Sequence, residues 1–125
     1  MSSTRDIGSH LENQSQLFLE SQGLTFIARN FYCKMGEIDL IMRDQDCLVF
    51  VEVRYRSDHR FGSGLESVRG SKIRKLVKTA QFYLQKHQLF DRVSCRFDVV
   101  AVSSGDDRPL DFNWIKNAFS ADGMV

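Results

Sequence analysis

The 125 residues fit one domain, and a chain this long buries roughly 60–70% of its unfolded surface, enough for one real core. With 42% hydrophobic and 26% charged residues the composition excludes a disordered chain, and no apolar run approaches the ~20 residues of a membrane span. The net charge of +1 gives no global sign of a polyanion partner, yet the charge is segregated: from Arg54 to Lys78 eight cations stand against Asp58 and Glu66, leaving +6 there and −5 elsewhere.

The opening MSSTRDIGSH is polar and lacks the apolar stretch of a signal peptide, so residues 1–8 are expected to be a disordered tail. Ser9 then fits the cap of a first helix running to about Gln22, with Leu11, Phe18 and Leu19 inward and Gly23 as its stop. Ser9-His-Leu-Glu12 has capping-box spacing, which gives Glu12 a purely local role. Leu24–Cys33, Glu37–Arg43 and Cys47–Tyr55 are strand-like runs, the last two joined by a polar turn around Asp44-Gln45-Asp46. Ser57–Gly64 is rich in turn residues. From Gly70 to Lys86, Ile73, Leu76, Val77, Ala80 and Leu84 recur with the 3.6-residue period of a helix, with Lys72, Arg74, Lys75 and Lys78 mostly on its other face. Val93–Val102 is a further strand, Ser103–Pro109 a loop, and Phe112–Phe119 a short closing element. The long helix between the third and fourth strands resembles a crossover, which makes those two strands parallel in a mixed sheet flanked by helices.

Cys33, Cys47 and Cys95 are odd in number and widely spaced, as are His10, His59 and His87. They fit no zinc or Cys–His pattern, and the cysteines are expected to be reduced, mostly buried thiols of a cytoplasmic protein.

The chemistry concentrates in the hairpin. Side chains alternate along a strand, so Glu37 and Asp39 share a face of one strand, and Phe50, Glu52 and Arg54 share a face of the next, opposite Val49, Val51 and Val53. A turn from Asp44 to Cys47 pairs Arg43 with Leu48 and sets Asp39 opposite Glu52; a one-residue slip separates them. Two carboxylates ~4 Å apart repel by about 4 kcal/mol at an effective dielectric of 20. A raised pKa, a cationic partner or a bound metal relieves that repulsion. A carboxylate cluster suits a hard cation such as Mg²⁺. Arg54 is then placed to face a phosphate, an arrangement fit for phosphodiester cleavage. The alternative is a structural network in which Arg54 or Arg56 neutralises Asp39 and Glu52.

GEIDLI, LVFVEVRYR, FGSGLESV, the Lys-rich helix, RFDVVAV and the final NAF together resemble the YraN-like family of small bacterial proteins, from about Glu12 to Phe119. That family is similar to the restriction-endonuclease-like (PD-(D/E)xK) nucleases and to archaeal Holliday-junction resolvases. The resemblance implies an α/β fold with an αβββαβ core, and one endonuclease-like domain over residues 9–120 with a short tail over 121–125. It implies a Mg²⁺- or Mn²⁺-dependent nuclease acting on DNA, branched or structured DNA among its candidate substrates, and a homodimer. Glu12 matches the helix glutamate, Asp39 in IDLI the aspartate and Glu52 in VEVR the glutamate, which makes these three the metal ligands. Arg54 stands where the nucleases carry lysine. Arginine stays protonated and cannot act as a base, but it can orient a phosphate. This departure keeps open a nucleic-acid-binding protein with weakened catalysis. Lys72 or Lys75 from the helix is a second source for the missing lysine. Arg56, Arg60, Lys72, Lys75 and Lys78 are the expected backbone-gripping cations, with Glu37 and Gln81 as accessory residues. Tyr55 and Phe61 are placed to stack on unpaired bases or to pack locally. Asp98 is expected to pair with Arg96 or a backbone group.

Overall fold

The computed structural model describes residues 4–56, 70–104 and 109–120. In chain order the elements are α1 (Thr4–Ser21), β1 (Thr25–Cys33), β2 (Gly36–Asp44), β3 (Cys47–Arg56), α2 (Gly70–Lys86), β4 (Ser94–Ser103) and β5 (Asp111–Phe119). The five strands form one sheet in the order β1-β2-β3-β4-β5. β3 and β4 run parallel, as the crossover helix predicts, while the other neighbours are antiparallel. This is the expected α/β architecture with its αβββαβ core, extended by a fifth strand.

The first helix starts earlier than its sequence suggests. Ser9 lies inside α1, so it does not cap the helix, because a cap residue must leave helical backbone angles. Residues 4–8, expected as tail, are helical. The stop is as expected: Gly23 takes φ 101°, its N–H donates to the Glu20 carbonyl (3.0 Å), and the Leu24 N–H donates to the Leu19 carbonyl (3.1 Å). That pair of bonds satisfies carbonyls which the end of a helix leaves open.

One helix covers each face of the sheet. Ile41 and Phe50 turn one way, with Phe97, Val99 and Phe119, to meet Ile73, Leu76, Val77, Ala80, Tyr83 and Leu84 of α2. Leu40, Met42, Val49, Val51, Val100 and Val102 turn the other way to meet Leu11 and Leu19 of α1. Val49 and Val51 oppose Phe50, as strand alternation requires. β2 breaks this rule once. Ile38 packs with Ile41 on the α2 side although Leu40 packs on the α1 side, and the break falls at Asp39.

Cys33 is buried and Cys47 half-buried, whereas Cys95 is exposed because it opens β4 at the edge of the core; all three are free. Residues 57–69, which include Arg60 and Phe61, lie outside the described residues. Among the described residues no helix is long and apolar enough to cross a membrane.

Candidate active site

The β2–β3 ladder has the register the short turn demands: Asp44 pairs with Cys47, Arg43 with Leu48, and Leu40 with Val51. Gln45 turns the corner with φ 54°. The paired positions end at Leu40 and Val51, one step before Asp39 and Glu52. There the Asp39 Oδ2 accepts a hydrogen bond from the Val53 N–H at 2.9 Å. The aspartate side chain thus takes a backbone donor at the point where the ladder stops, which fixes its carboxyl between the two strands.

Glu12 reaches this point from α1 and Glu37 from the start of β2. Carboxylate oxygens of Glu12, Glu37 and Asp39 lie within 4.8 Å of one another. Glu12 and Asp39 are half-buried and Glu37 is exposed. Burial pushes the Asp39 carboxyl up from its ordinary 3.8 to about 8; the charge of Glu52 adds to this, the Val53 N–H opposes it, and Glu12 and Glu37 add further repulsion. Burial also raises the Glu12 carboxyl, with a hydrogen bond from Asn30 opposing and Glu37 repulsion adding. Asp39 is therefore the electrostatic centre of the group, short of positive charge.

Glu52 lies close enough to repel Asp39 and is supplied with cations. Its Oε1 is 2.8 Å from the Lys72 ammonium and 3.4 Å from the Arg54 Nε. Two clefts flank the acids. One, of about 680 Å³, is lined by Gly8, Ser9, Glu12, Asn30, Tyr32 and Glu37. The other, of about 430 Å³, includes Glu37, Asp39, Glu52, Ser71, Lys72 and Lys75 in its wall. Glu37 belongs to both.

The family model of UPF0102, described as an uncharacterised protein family, matches residues 11–102. The chain belongs to the UPF0102 family. It is similar to a UPF0102 protein of Coxiella burnetii (strain RSA 331 / Henzerling II), 49% identical over 119 residues that cover 95% of this chain and 96% of the relative. A UPF0102 protein of Vibrio parahaemolyticus is 44% identical over 118 residues, covering 94% and 95%. One of Aliivibrio fischeri (strain MJ11) is 53% identical over 112 residues, covering 89% of each chain. The match takes in every element that builds the acidic group, and this is the family read from GEIDLI and VEVR.

Within this UPF0102 chain the predicted residues divide into three groups. Glu12, Glu37 and Asp39 converge on one point, so Glu37, ranked as an accessory by sequence, stands among the principal acids. Glu52 is held by Lys72 and Arg54, next to that point and outside the three-acid cluster. Lys75 is exposed at the cleft, Lys78 is exposed further along α2, and Arg56 ends β3. Gln81 is exposed on α2 and is not among the residues lining the two clefts. The Tyr55 hydroxyl is hydrogen-bonded to the Ser104 hydroxyl at 2.7 Å. Buried Asp98 accepts from Arg96 Nε (3.0 Å), Trp114 Nε1 (2.9 Å) and the Asn117 N–H (2.9 Å), a network that ties β4 to β5.

Two contributors have no motif in the sequence. Asn30, at φ 54° in β1, bonds Glu12. Arg29 Nη2 donates to Gln16 at 2.8 Å and holds α1, and Glu12 with it, against β1. An asparagine inside a strand-like run was the available signal, since asparagine tolerates left-handed backbone better than its neighbours.

Proposed function

We propose that this protein is a divalent-metal-dependent nuclease that hydrolyses phosphodiester bonds of DNA, branched or structured DNA among them. The observation that carries this reading is the convergence of the Glu12, Glu37 and Asp39 carboxylates beside two clefts. Such oxygen-only donors fit Mg²⁺ or Mn²⁺, and a bound dication would offset the burial and the neighbouring negative charge that keep a proton on Asp39. The metal would supply charge for the phosphoryl oxygen and an acidified water. Glu12, Glu37 and Asp39 would hold it. Glu52 stands next to Asp39 to take or orient a water hydrogen, while Lys75, Lys78 and Arg56 supply cations for the DNA backbone. A substrate of chromosomal DNA would be met in the cytoplasm. A two-fold dimer would match the symmetry of a four-way junction.

The test is cleavage of single-stranded, duplex and four-way-junction DNA with Mg²⁺ or Mn²⁺. Cutting is expected only with the dication, and Asp39→Ala should abolish it. Cutting by rigorously purified Asp39→Ala at the wild-type rate removes the assignment.

A second reading follows from one observation. Glu52 is already paired with two cations, and the position two residues on holds Arg54, so the chain also suits a nucleic-acid-binding protein with weakened catalysis. That version binds DNA with strong salt dependence and cuts with neither ion.

A further inference from the structure

The cation that a phosphodiester meets in the cleft is the point at issue. By position in the strand it is Arg54, two residues after Glu52. Arg54, however, is not among the residues lining the 430 Å³ cleft that holds Asp39 and Glu52, whereas Lys72 and Lys75 are. The Arg54 Nε is buried without a hydrogen-bond partner, and its side chain is 24% exposed. Lys72 enters from the first turn of α2. Its ammonium stands closer to Glu52 than the guanidinium does, 2.8 Å against 3.4 Å. It is also the more open of the two, at 38% exposure, over a carboxylate that is 6% exposed. An ammonium has three donors and Glu52 Oε1 takes one, which leaves two for an anion in the cleft.

We infer that Lys72, delivered from α2, is the catalytic cation of this site, contacting the scissile phosphate while it holds Glu52, with Arg54 confined to the buried side of that carboxylate. The inference rests on the nuclease reading above and adds a residue to it. In the hydrolysis a water oxygen bonds to phosphorus, the P–O bond to one sugar breaks, and a water proton ends on the departing oxygen. Negative charge builds on the phosphoryl oxygens in between, and the Lys72 N–H groups meet it there.

The experiment is steady-state cleavage of four-way-junction and duplex DNA with Mn²⁺ by the full chain and by Lys72→Met, Lys72→Arg and Arg54→Met, with a thermal unfolding curve for each. Lys72→Met is expected to lose about 100-fold in kcat, with KM within about threefold of wild type, because a donor used at the transition state has gone. Lys72→Arg, which keeps the charge and the ion pair, should recover at least about tenfold of that loss. Arg54→Met should lose at least about tenfold less kcat than Lys72→Met. A purely structural Lys72 would lower the unfolding temperature and leave kcat of the folded fraction alone. Cleavage by wild type together with a Lys72→Met kcat within about threefold of it overturns the role of Lys72 and leaves the nuclease reading standing. No cleavage by wild type on any substrate overturns the nuclease reading itself, and the role of Lys72 with it.

Discussion

Burial, with the charge of Glu52 added, makes Asp39 a pH-sensitive position of the fold. Its folded-state value of about 8 lies above the ordinary 3.8, so the folded form holds the proton more tightly than the unfolded chain. The contribution to stability is complete below the ordinary value and is lost as pH rises through about 8. Asp39→Asn cannot ionise. Urea unfolding at pH 9 should find it about 1–3 kcal/mol more stable than wild type, with the gap closing toward pH 5. A metal displaces the same proton, so Mn²⁺ affinity should rise with pH up to about 8 and then level off. Single-residue chemistry was partly legible in the sequence. Asp39 and Glu52 declared themselves by alternation and turn length. The Lys72 partnership of Glu52 did not, because it depends on how α2 sits across the sheet, twenty residues away in the chain, and no periodicity encodes that.

Among the elements, α2 and the β2–β3 hairpin place the site, and each has a positive-φ backbone position that constrains which residue can stand there. Gln88 ends α2 at φ 58°, its N–H bonding the Gln85 carbonyl (3.1 Å) while the Leu89 N–H reaches the Leu84 carbonyl (2.7 Å). That left-handed position costs a residue with a Cβ about 1 kcal/mol, so Gln88→Gly should raise stability by roughly 0.5–1 kcal/mol in thermal unfolding. Gly36 is the opposite case. It opens β2 at φ 151°, and an added Cβ would come within 3.2 Å of the Thr79 hydroxyl, which is held by a 2.7 Å bond to the Lys75 carbonyl. Gly36→Ala should cost about 1–3 kcal/mol by the same measurement and shift Glu37, the next residue, out of the acidic group. The hairpin register was legible because a two-residue turn leaves no freedom. β5 was not legible as a strand. A register shift lies between Phe97 and Val99, and Asn117 takes φ 52°, so the alternation of Phe112, Trp114 and Ile115 never completes a clean pattern.

At the scale of the whole molecule, segregated charge is what the fold converts into a site. The start of α2 brings Lys72 and Lys75 to the border of the cleft, while the acids come from α1, β2 and β3. Acidic and basic groups thus stand side by side, and under the proposed function they would serve as a well for a dication and a rim for a phosphate backbone. Lys78→Ala should weaken DNA binding without base preference and reduce the salt slope of log K by about 1, measured by fluorescence anisotropy between low and moderate salt. The crossover, and with it the parallel pairing of β3 and β4, was legible because a 17-residue helix between two strands leaves room for a parallel return. The start of α1 was not, because the Ser9–Glu12 spacing of a cap recurs by chance inside a helix. The most direct test of the central claim is calorimetric titration of the full chain with Mn²⁺ at pH 8. The account predicts saturable binding that Asp39→Ala abolishes and Glu12→Gln weakens. Wild type that takes up no Mn²⁺, or Asp39→Ala that takes it up unchanged, would contradict it.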